Sequence, residues 1–365
     1  MRQEESLSMT PVPGICLDQY ATQAKELCKA ARAADPSSIT RIREQHPEGP
    51  ALVATRAPRL ADCQLVVARE LGYTSWARLN HDLLFRSALQ AFDTGDLPAL
   101  GDLLRKHPFL IRYRCRRGGW YEAGYFQGAM LLHHIAGNPI RCPIPPNILD
   151  LTRLLLTHGA DPNAATEGRS TTIGLLLTSH QASEAAVALP LIDLLRDAGA
   201  KETLDGPEVV SAPLLNAAPA TAAELVKRGC PIDLRHAAGL GDLELLKALL
   251  AENRDAELRE EALAFAAIRG QMEAARMLAR HGARGDVLLT PGGCTPRTAL
   301  HEAANRGHLE IVRLLLEHGA SAKVVEPHFG GTAWGWARHG NHTEIADLLV
   351  KHIEPTQLKN PSHEG

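Results

Sequence analysis

The chain contains two copies of one pattern near its C-terminus, and this repetition constrains the fold more than any other feature. Residues 298–318 are TALHEAANRGHLEIVRLLLEH and residues 332–352 are TAWGWARHGNHTEIADLLVKH. The offset, 332 − 298 = 34 residues, holds from the initial Thr to the terminal His. A fixed period of this length is typical of arrays in which each repeat is one small supersecondary unit. The sequence therefore predicts a repeat array.

Each copy has the features of two short helices joined by a turn. Thr298 and Thr332 are placed to cap the first helix, and Gly307 can end it with a positive φ. Apolar residues then recur at i, i+3 and i+4 from Ile311, which gives the second helix one apolar stripe. A helix pair this thin cannot bury its own apolar face, so its stability must come from stacking on neighbouring pairs. The end of the second helix recurs as LLLTHGADPN (154–163), LLRDAGA (194–200), ELVKRGC (224–230), MLARHGA (277–283) and LLLEHGA (314–320).

These copies resemble the ankyrin repeat, whose usual pattern is T-P-L-H-x-A-A, then G-H, then L-L-L and G-A-D. The matching positions are Thr298, Leu300, His301, Ala303, Ala304, Gly307, His308, Leu314, Leu315, Gly319 and Ala320, and Ala299 replaces the Pro. The resemblance implies an all-α fold, an ankyrin-repeat α-solenoid of stacked helix-turn-helix pairs with short finger loops and a helical N-terminal cap. It also implies a non-catalytic scaffold that binds a partner protein through its finger loops and the concave face of its inner helices.

The array is irregular, and about seven units are expected between residues 85 and 353. The irregular parts are a diverged unit TGDLPALGDLLRKHP (94–108), an insertion GNPIRCPIPPN (137–147) and a degenerate helix pair RHAAGLGDLELLKALLAEN (235–253). The predicted organisation is a flexible N-terminus (1–20), a helical N-terminal cap (21–84), the array (85–353) and a disordered tail (354–365).

Two observations support a helical cap before the array. The segment AADPSSITRIREQHP (33–47) repeats the Asp and His spacing of the diverged unit, with Asp35 and His46 matching Asp96 and His107. The segment LADCQLVVARELGYTSWARLNHDL (60–83) resembles a leader found ahead of the repeats in bacterial ankyrin-repeat proteins. Its Ser75 can cap a helix whose apolar residues would seal the end of the stack.

Composition narrows the functional classes. The net charge is −3, from 39 basic and 42 acidic residues, so no global field favours nucleic acid or an anionic membrane. No run approaches 18 apolar residues, and the first residues lack the apolar region of a secretory signal. The 7 cysteines are scattered, which favours free thiols in a reducing cytoplasm. A cytoplasmic monomer that uses no cofactor, nucleic acid or membrane is expected.

Residues 112–129 are the most unusual segment, because they combine arginines with five of the chain's fifteen aromatic residues (six Phe, five Tyr and four Trp). They precede Met130-Leu131-Leu132-His133, which occupies the T-P-L-H slot, so the resemblance makes them an enlarged finger loop. Arg and aromatic side chains are typical of binding hot spots. The candidate contacts are Arg116, Arg117, Trp120, Tyr121, Tyr125, Phe126 and Gln127. The alternative is that the aromatic rings fold back onto the helices and the arginines are only solvated.

Further candidate contacts follow from the family pattern. At the tips of other fingers they are Glu167, Ser170, Thr295, Arg297, His328 and Phe329. At the ends of inner helices they are Arg269, Asn305, Arg306 and His339. Together these positions outline the concave face that the resemblance implies.

The sequence lacks the motifs of common catalytic sites, including G-x-S-x-G, the phosphate-binding G-x-x-x-x-G-K-[ST] and H-E-x-x-H. The histidines that end second helices recur one repeat apart, so they are expected to cap helices rather than converge on a metal. One alternative function stays open, an enzyme or small-ligand-binding protein with a pocket at residues 112–129 and the insertion 137–147. Its lining would include Arg117, Trp120, His133 and His134.

Overall fold

Short α-helices account for most of the regular structure. The structure is a computed structural model, and it describes residues 17–252, 254–290 and 296–353. Within these ranges there is no β-strand, and the extended pairing consists of two isolated bridges, Ala165 with Thr171 and Leu289 with Arg297. The all-α class predicted from the sequence is confirmed. The predicted disordered tail lies outside the described residues, as does most of the predicted flexible N-terminus.

The helices divide between two compact units. The first takes in the described residues up to Thr172 together with Asp193–Ala200. The second takes in Ile173–Ile192 and the described residues from Lys201 onward. The segment 85–353, predicted as one array, therefore contributes helices to both units.

The first unit begins with a small helical bundle. Its helices are α1 (Leu17–Arg32), α2 (Pro36–Gln45), α3 (Gly49–Thr55), α4 (Leu60–Glu70), α5 (Trp76–Asp93), α6 (Leu97–Lys106) and α7 (Ile148–Thr157). The apolar residues Leu27, Ile42, Leu52 and Val66 are buried together in the core formed by α1 to α4. The helices do not follow the bounds predicted for the N-terminal cap, residues 21–84. Helix α1 begins before residue 21, and α5 continues without a break across residues 84 and 85.

The similarity noted between residues 33–47 and 94–108 corresponds to the same local structure. The side chain of Asp35 caps α2 by accepting from the backbone N–H of Ser38 at 2.8 Å. Asp96 caps α6 in the same way, accepting from the backbone N–H of Ala99 at 2.9 Å. Ser75 caps α5, as predicted. A side-chain oxygen at this position satisfies an amide that the first helical turn leaves without a partner.

Between α6 and α7 the chain forms short 3-10 helices instead of regular α-helix. They span Pro108–Arg112, Gly119–Tyr121, Gly124–Phe126 and Leu131–Ala136. The last of these occupies the place of a first repeat helix, and Gly137 ends it with a φ of 61°. The prolines of the insertion follow and cannot continue a helix.

The second unit is a stack of helix pairs. Its helices, with α8 and α10 crossing the division between the units, are α8 (Thr172–Leu177), α9 (His180–Glu184), α10 (Ala188–Asp197), α11 (Glu208–Leu215), α12 (Pro219–Lys227), α13 (Leu234–Leu240), α14 (Leu243–Glu252), α15 (Ala256–Arg269), α16 (Met272–Arg280), α17 (Ala299–Arg306), α18 (Leu309–Glu317), α19 (Ala333–His339) and α20 (Thr343–Leu349). The first helices α13, α15, α17 and α19 pack side by side in order. The second helices α14, α16, α18 and α20 do the same. Buried alanines and leucines fill the space between them, so the predicted stacking holds in this unit.

The predicted ends of the repeat helices are confirmed in part. The hydroxyl of Thr298 accepts from the backbone N–H of His301 at 3.2 Å and caps α17. Gly307 ends that helix with a φ of 81°. Thr332 was expected to cap α19 in the same way, but this expectation is wrong, because its hydroxyl is buried and makes no hydrogen bond.

Candidate functional site

The enlarged loop at residues 112–129 is a compact structure that closes on itself. The backbone N–H of Cys115 donates to the carbonyl of Ala129 at 3.0 Å, which joins the two ends of the loop. The 3-10 helices Gly119–Tyr121 and Gly124–Phe126 fold its middle. The loop is therefore folded back on itself rather than extended.

Two of the predicted contact residues in this loop are interior. Tyr121 is 3% exposed and Phe126 is 1% exposed. The Phe126 ring meets the His134 ring edge-on at a centroid distance of 5.0 Å. The prediction that Tyr121 and Phe126 face a partner is corrected here, because both rings gain their stabilisation from burial around His134.

His134 is held in one tautomer by groups on both sides. Nδ1 contacts a guanidinium nitrogen of Arg141, which can only donate, so Nδ1 accepts. Nε2 therefore carries the proton and donates to the hydroxyl oxygen of Tyr121 at 3.2 Å. Burial lowers the pKa of His134 well below its ordinary value, and the charge of Arg141 lowers it further. Arg141 also pairs with Asp93. This neutral imidazole is part of the packing of the loop.

A buried carboxylate anchors the base of the loop. Asp82 accepts from the Tyr73 hydroxyl at 2.6 Å and from Arg86 Nε at 3.0 Å. The thiol of Cys115 lies 3.6 Å from the same carboxylate. Burial, reinforced by Asp82, raises the pKa of Cys115 to about 12, so the thiol stays protonated at neutral pH. Since the thiolate is the nucleophile, Cys115 is unsuited to covalent catalysis.

The arginines of the loop brace it against its surroundings. Arg114 Nη1 donates to the carbonyls of Gly128 at 3.1 Å and Ala165 at 2.9 Å, which ties the loop to the following one. Arg116 pairs with Glu167 at 2.6 Å. The guanidinium of Arg117 lies over the Tyr73 ring at 4.4 Å. Arg116 and Arg117 remain exposed while making these contacts.

Three large side chains of this region face solvent. Trp120 is 46% exposed and Tyr125 is 41% exposed, and the Tyr125 hydroxyl donates to Asn138 at 2.9 Å. Ile140, in the insertion, is 67% exposed and was not predicted as a contact. Gln127 is half-buried, and its carbonyl accepts from the backbone N–H of Glu167 at 2.8 Å. Of the aromatic residues predicted as contacts here, Trp120 and Tyr125 keep a surface for a partner.

The next loop provides the other candidates of the first unit. Ser170 is half-buried, and its backbone N–H donates to the Thr166 hydroxyl at 3.0 Å. That hydroxyl donates in turn to the carbonyl of Tyr125 at 2.7 Å. With the Arg116–Glu167 ion pair, these bonds hold the two loop tips together.

A small cleft lies beneath the insertion 137–147. Its walls include Asp93, His134, Arg141 and Cys142. The cavity volume is about 10 Å³, which is room for about one water molecule. Of the four residues proposed to line a ligand pocket, His134 lines this cleft, whereas Arg117 and His133 make contacts elsewhere and Trp120 faces solvent.

In the second unit, several predicted contact residues are joined through two side chains that were not predicted. The guanidinium of Arg297 lies over the Trp336 ring at 4.5 Å. It also pairs with Glu302 at 3.3 Å, and the same carboxylate lies 3.5 Å from Arg306 Nε. Trp336 and Glu302 are almost completely buried, so they act as the connection between the more exposed arginines.

The aromatic side of this patch extends from Trp336. Its ring centroid lies 5.7 Å from that of Phe329 and 5.5 Å from that of His339. His328 stacks edge-on against Phe329. The buried carboxylate of Glu326 shapes this turn by accepting from the backbone N–H groups of His328 and Phe329, each at 2.9 Å. His328 and His339 are exposed, as expected for contacts.

The basic side of the patch contains the remaining candidates. Arg306 and Arg269 end successive first helices, and both are half-buried. Burial lowers the pKa of Arg269, and the nearby charge of Arg306 lowers it further. The half-buried Asn305 accepts a hydrogen bond from His342 at its carbonyl, at 3.1 Å. Thr295 lies outside the described residues.

The C-terminal part of the chain, which contains this patch, matches a known protein family. A family model described as ankyrin repeats (3 copies) matches residues 234–326 and 286–360. The C-terminal repeats are ankyrin repeats. The matched range begins at the first residue of α13, so it includes the degenerate pair α13–α14. No curated protein matches the chain.

The histidine of the ankyrin pattern, His301, links one repeat to the next. His301 Nδ1 accepts from Thr298, and its Nε2 donates to the carbonyl of Gly331 at 3.2 Å, across to the next repeat. In the first unit, His133 Nδ1 accepts from the backbone N–H of Met130, and Nε2 donates to the carbonyl of Ala164 at 3.1 Å. Both ring nitrogens are occupied in each case, so these side chains hold loops in place.

The described part of the chain shows neither a metal site nor a membrane-spanning helix. There, no group of three or more His, Cys, Asp or Glu side chains has a geometry suited to a metal ion. Also within that part, none of the helices combines the length and the apolar character needed to cross a membrane.

Proposed function

We propose that this chain is a non-catalytic scaffold that binds a partner protein through its loop tips and the exposed ends of its inner helices. Ankyrin repeats are generally protein-interaction modules and are typically non-catalytic. Trp120 and Tyr125, held out to solvent by a loop that is fixed at its base, carry the proposal. A preformed surface loses little conformational entropy on binding, which favours affinity.

The second surface is the patch around Trp336 in the ankyrin repeats. It presents Arg297, Arg306, Phe329, His328 and His339 on a support of buried side chains. Arg and aromatic residues are enriched in binding hot spots because they bury a large area. We propose that this patch and the Trp120 loop each contribute contacts.

The test is site-specific photo-crosslinking in the native cell. A photoreactive phenylalanine analogue replaces Trp120, and the matched control carries the same analogue at Leu60, which is also exposed in the first unit. We expect one partner protein to be cross-linked from position 120 and absent from position 60. Identical products from both positions would contradict the proposal.

The alternative of a small-ligand pocket can be tested on the same protein. The cleft beneath the insertion is small compared with the usual ligand pocket of about 300–1,000 Å³, so a ligand there would require residues 137–147 to move. A thermal-shift screen of metabolites checks this directly. Saturable stabilisation that disappears in an Arg141→Gln variant would favour the alternative.

We also propose that the protein is a cytoplasmic monomer that does not bind nucleic acid. The described cysteines are free thiols, which fits a reducing compartment. Sedimentation velocity over a range of concentrations measures the oligomeric state, and a mass that rises with concentration would show self-association.

A further inference from the structure

The two arginines that end α15 and α17 carry more positive charge than their surroundings balance. Arg306 shares the carboxylate of Glu302 with Arg297, and its Nη2 donates to the carbonyl of Leu215 at 3.2 Å. Among the described residues, Arg269 pairs with no carboxylate. Its Nε is buried and has no hydrogen-bond acceptor among those residues. Two guanidinium groups, those of Arg297 and Arg306, therefore share the one carboxylate of Glu302, and the guanidinium of Arg269 has no carboxylate of its own.

The three carboxylates of α15 itself either have partners already or lie far from Arg269. Glu260 accepts from the backbone N–H groups of Arg284 at 2.6 Å and Gly285 at 2.9 Å. Glu261 pairs with Arg235 at 3.2 Å. Glu257 lies in the first turn of α15, about 18 Å along the helix axis from Arg269. None of them can neutralise Arg269 without breaking an existing contact or unwinding the helix.

Placing two like charges side by side is unfavourable unless an anion lies between them. Arg269 and Arg306 occupy equivalent positions before the closing glycines, Gly270 and Gly307, so their side chains project from neighbouring helices of the stack. We infer that this arginine pair binds the carboxylates of an acidic peptide segment on the partner protein. Arginine forms paired hydrogen bonds with a carboxylate, and these are among the stronger polar contacts.

This inference rests on the proposed function, because it names the chemistry of the partner segment at one surface. The experiment uses the full chain and a fluorescently labelled peptide of alternating Glu and Ser residues. Its control peptide has Gln in place of each Glu. We expect the Glu peptide to bind in a salt-dependent manner and the Gln peptide to bind at least about tenfold more weakly.

The informative variant is Arg269→Gln, since this side chain makes no ion pair that the fold would lose. Arg280→Gln is the matched control, because Arg280 is an exposed arginine in the last turn of α16, the second helix of the same repeat. We expect Arg269→Gln to weaken binding of the Glu peptide about tenfold and Arg280→Gln to leave it unchanged. Circular dichroism confirms that both variants are folded.

The outcomes separate this inference from the proposed function. Equal weakening in both variants would show a general charge effect and would overturn the arginine-pair site. Binding of an oligothymidylate as tight as that of the Glu peptide would assign the pair to phosphate and would also overturn it. If the Glu peptide fails to bind while cross-linking from position 120 succeeds, the inference fails and the proposed function stands. If the Glu peptide fails to bind and cross-linking from position 120 also fails, both the inference and the proposed function are contradicted.

Discussion

The guanidinium of Arg297 lies 4.5 Å from the centre of the buried Trp336 ring and 3.3 Å from the carboxylate of Glu302. A second arginine over a tryptophan, Arg338 over Trp334, is 6.0 Å from its ring. The first pair is shielded by its neighbours, whereas Arg338 is exposed to water. Because desolvation strengthens both cation–π and ionic contacts, the two arginines should differ in their effect on stability.

We therefore expect Arg297→Ala to lower the free energy of unfolding by about 1–3 kcal/mol, since Glu302 loses a close cationic partner. Arg338→Ala should change it by less than about 0.5 kcal/mol. Urea denaturation followed by tryptophan fluorescence and circular dichroism measures both values. Equal effects would show that the distance to the ring has no bearing on stability here.

Two threonines at the same repeat position provide a second comparison. Thr298 caps α17, whereas the hydroxyl of Thr332 makes no hydrogen bond. Thr298→Ala should cost about 1 kcal/mol, the usual loss for a helix cap, and Thr332→Ala should cost clearly less. Thermal unfolding of the two variants checks the order, and a larger loss for Thr332→Ala would contradict it.

Two tyrosines in the enlarged loop provide a third comparison. The Tyr121 hydroxyl is the acceptor for buried His134, so Tyr121→Phe should leave that N–H without a partner and cost about 1–3 kcal/mol. The Tyr125 hydroxyl donates to Asn138 at the surface, so Tyr125→Phe should stay within about 0.5 kcal/mol of the parent. Chemical denaturation measures both, and a neutral Tyr121→Phe would contradict the assigned hydrogen bond.

Buried neutral histidines should make stability depend on pH. Burial lowers the pKa of His301 from 6.5 to about 4, so between these values the unfolded chain binds more protons than the folded one. The free energy of unfolding should therefore fall as the pH is lowered from about 6.5 towards 4, by up to about 1.4 kcal/mol per pH unit for this group. Urea titrations at pH 7 and pH 5 measure the slope.

The control for this pH dependence uses a histidine at the surface. His301→Asn should reduce the slope, because it removes one group that gains a proton on unfolding. His281→Asn, at the exposed end of α16, should preserve the slope. Unchanged slopes in both variants would show that other groups govern the response to acid.

The repeat architecture could be predicted from the sequence because its determinants are local. A capping side chain, a closing glycine and an apolar stripe each act within one or two turns, and Thr298, Gly307 and Ser75 all have the predicted roles. The similarity of residues 60–83 to bacterial leaders stays a prediction, and so does the assignment of the N-terminal helices as a cap. The boundary predicted after residue 84 falls inside α5, where no helix-breaking residue occurs, and the division of the chain into a cap and an array stays a prediction.

The candidate site was predicted less well, because burial depends on contacts distant in sequence. Tyr121 and Phe126 are aromatic like their exposed neighbours, and packing against each other and against the distant Phe85 and His134 makes them interior. Trp336 stands at a variable position of the ankyrin pattern, so no motif marked it. The pairing of Arg297 with Glu302 within one repeat could have been suspected from their opposite charges and spacing.

One nitrogen of Arg114 donates to carbonyls in two successive loops, at Gly128 and Ala165. A change in the length of either loop moves one of these oxygens away from a shared donor. Insertions that an isolated surface loop would tolerate should therefore be accepted here only when the other loop changes with it. The two loops are therefore expected to vary in length and sequence together. An engineer who wishes to alter this surface should replace both loops at once.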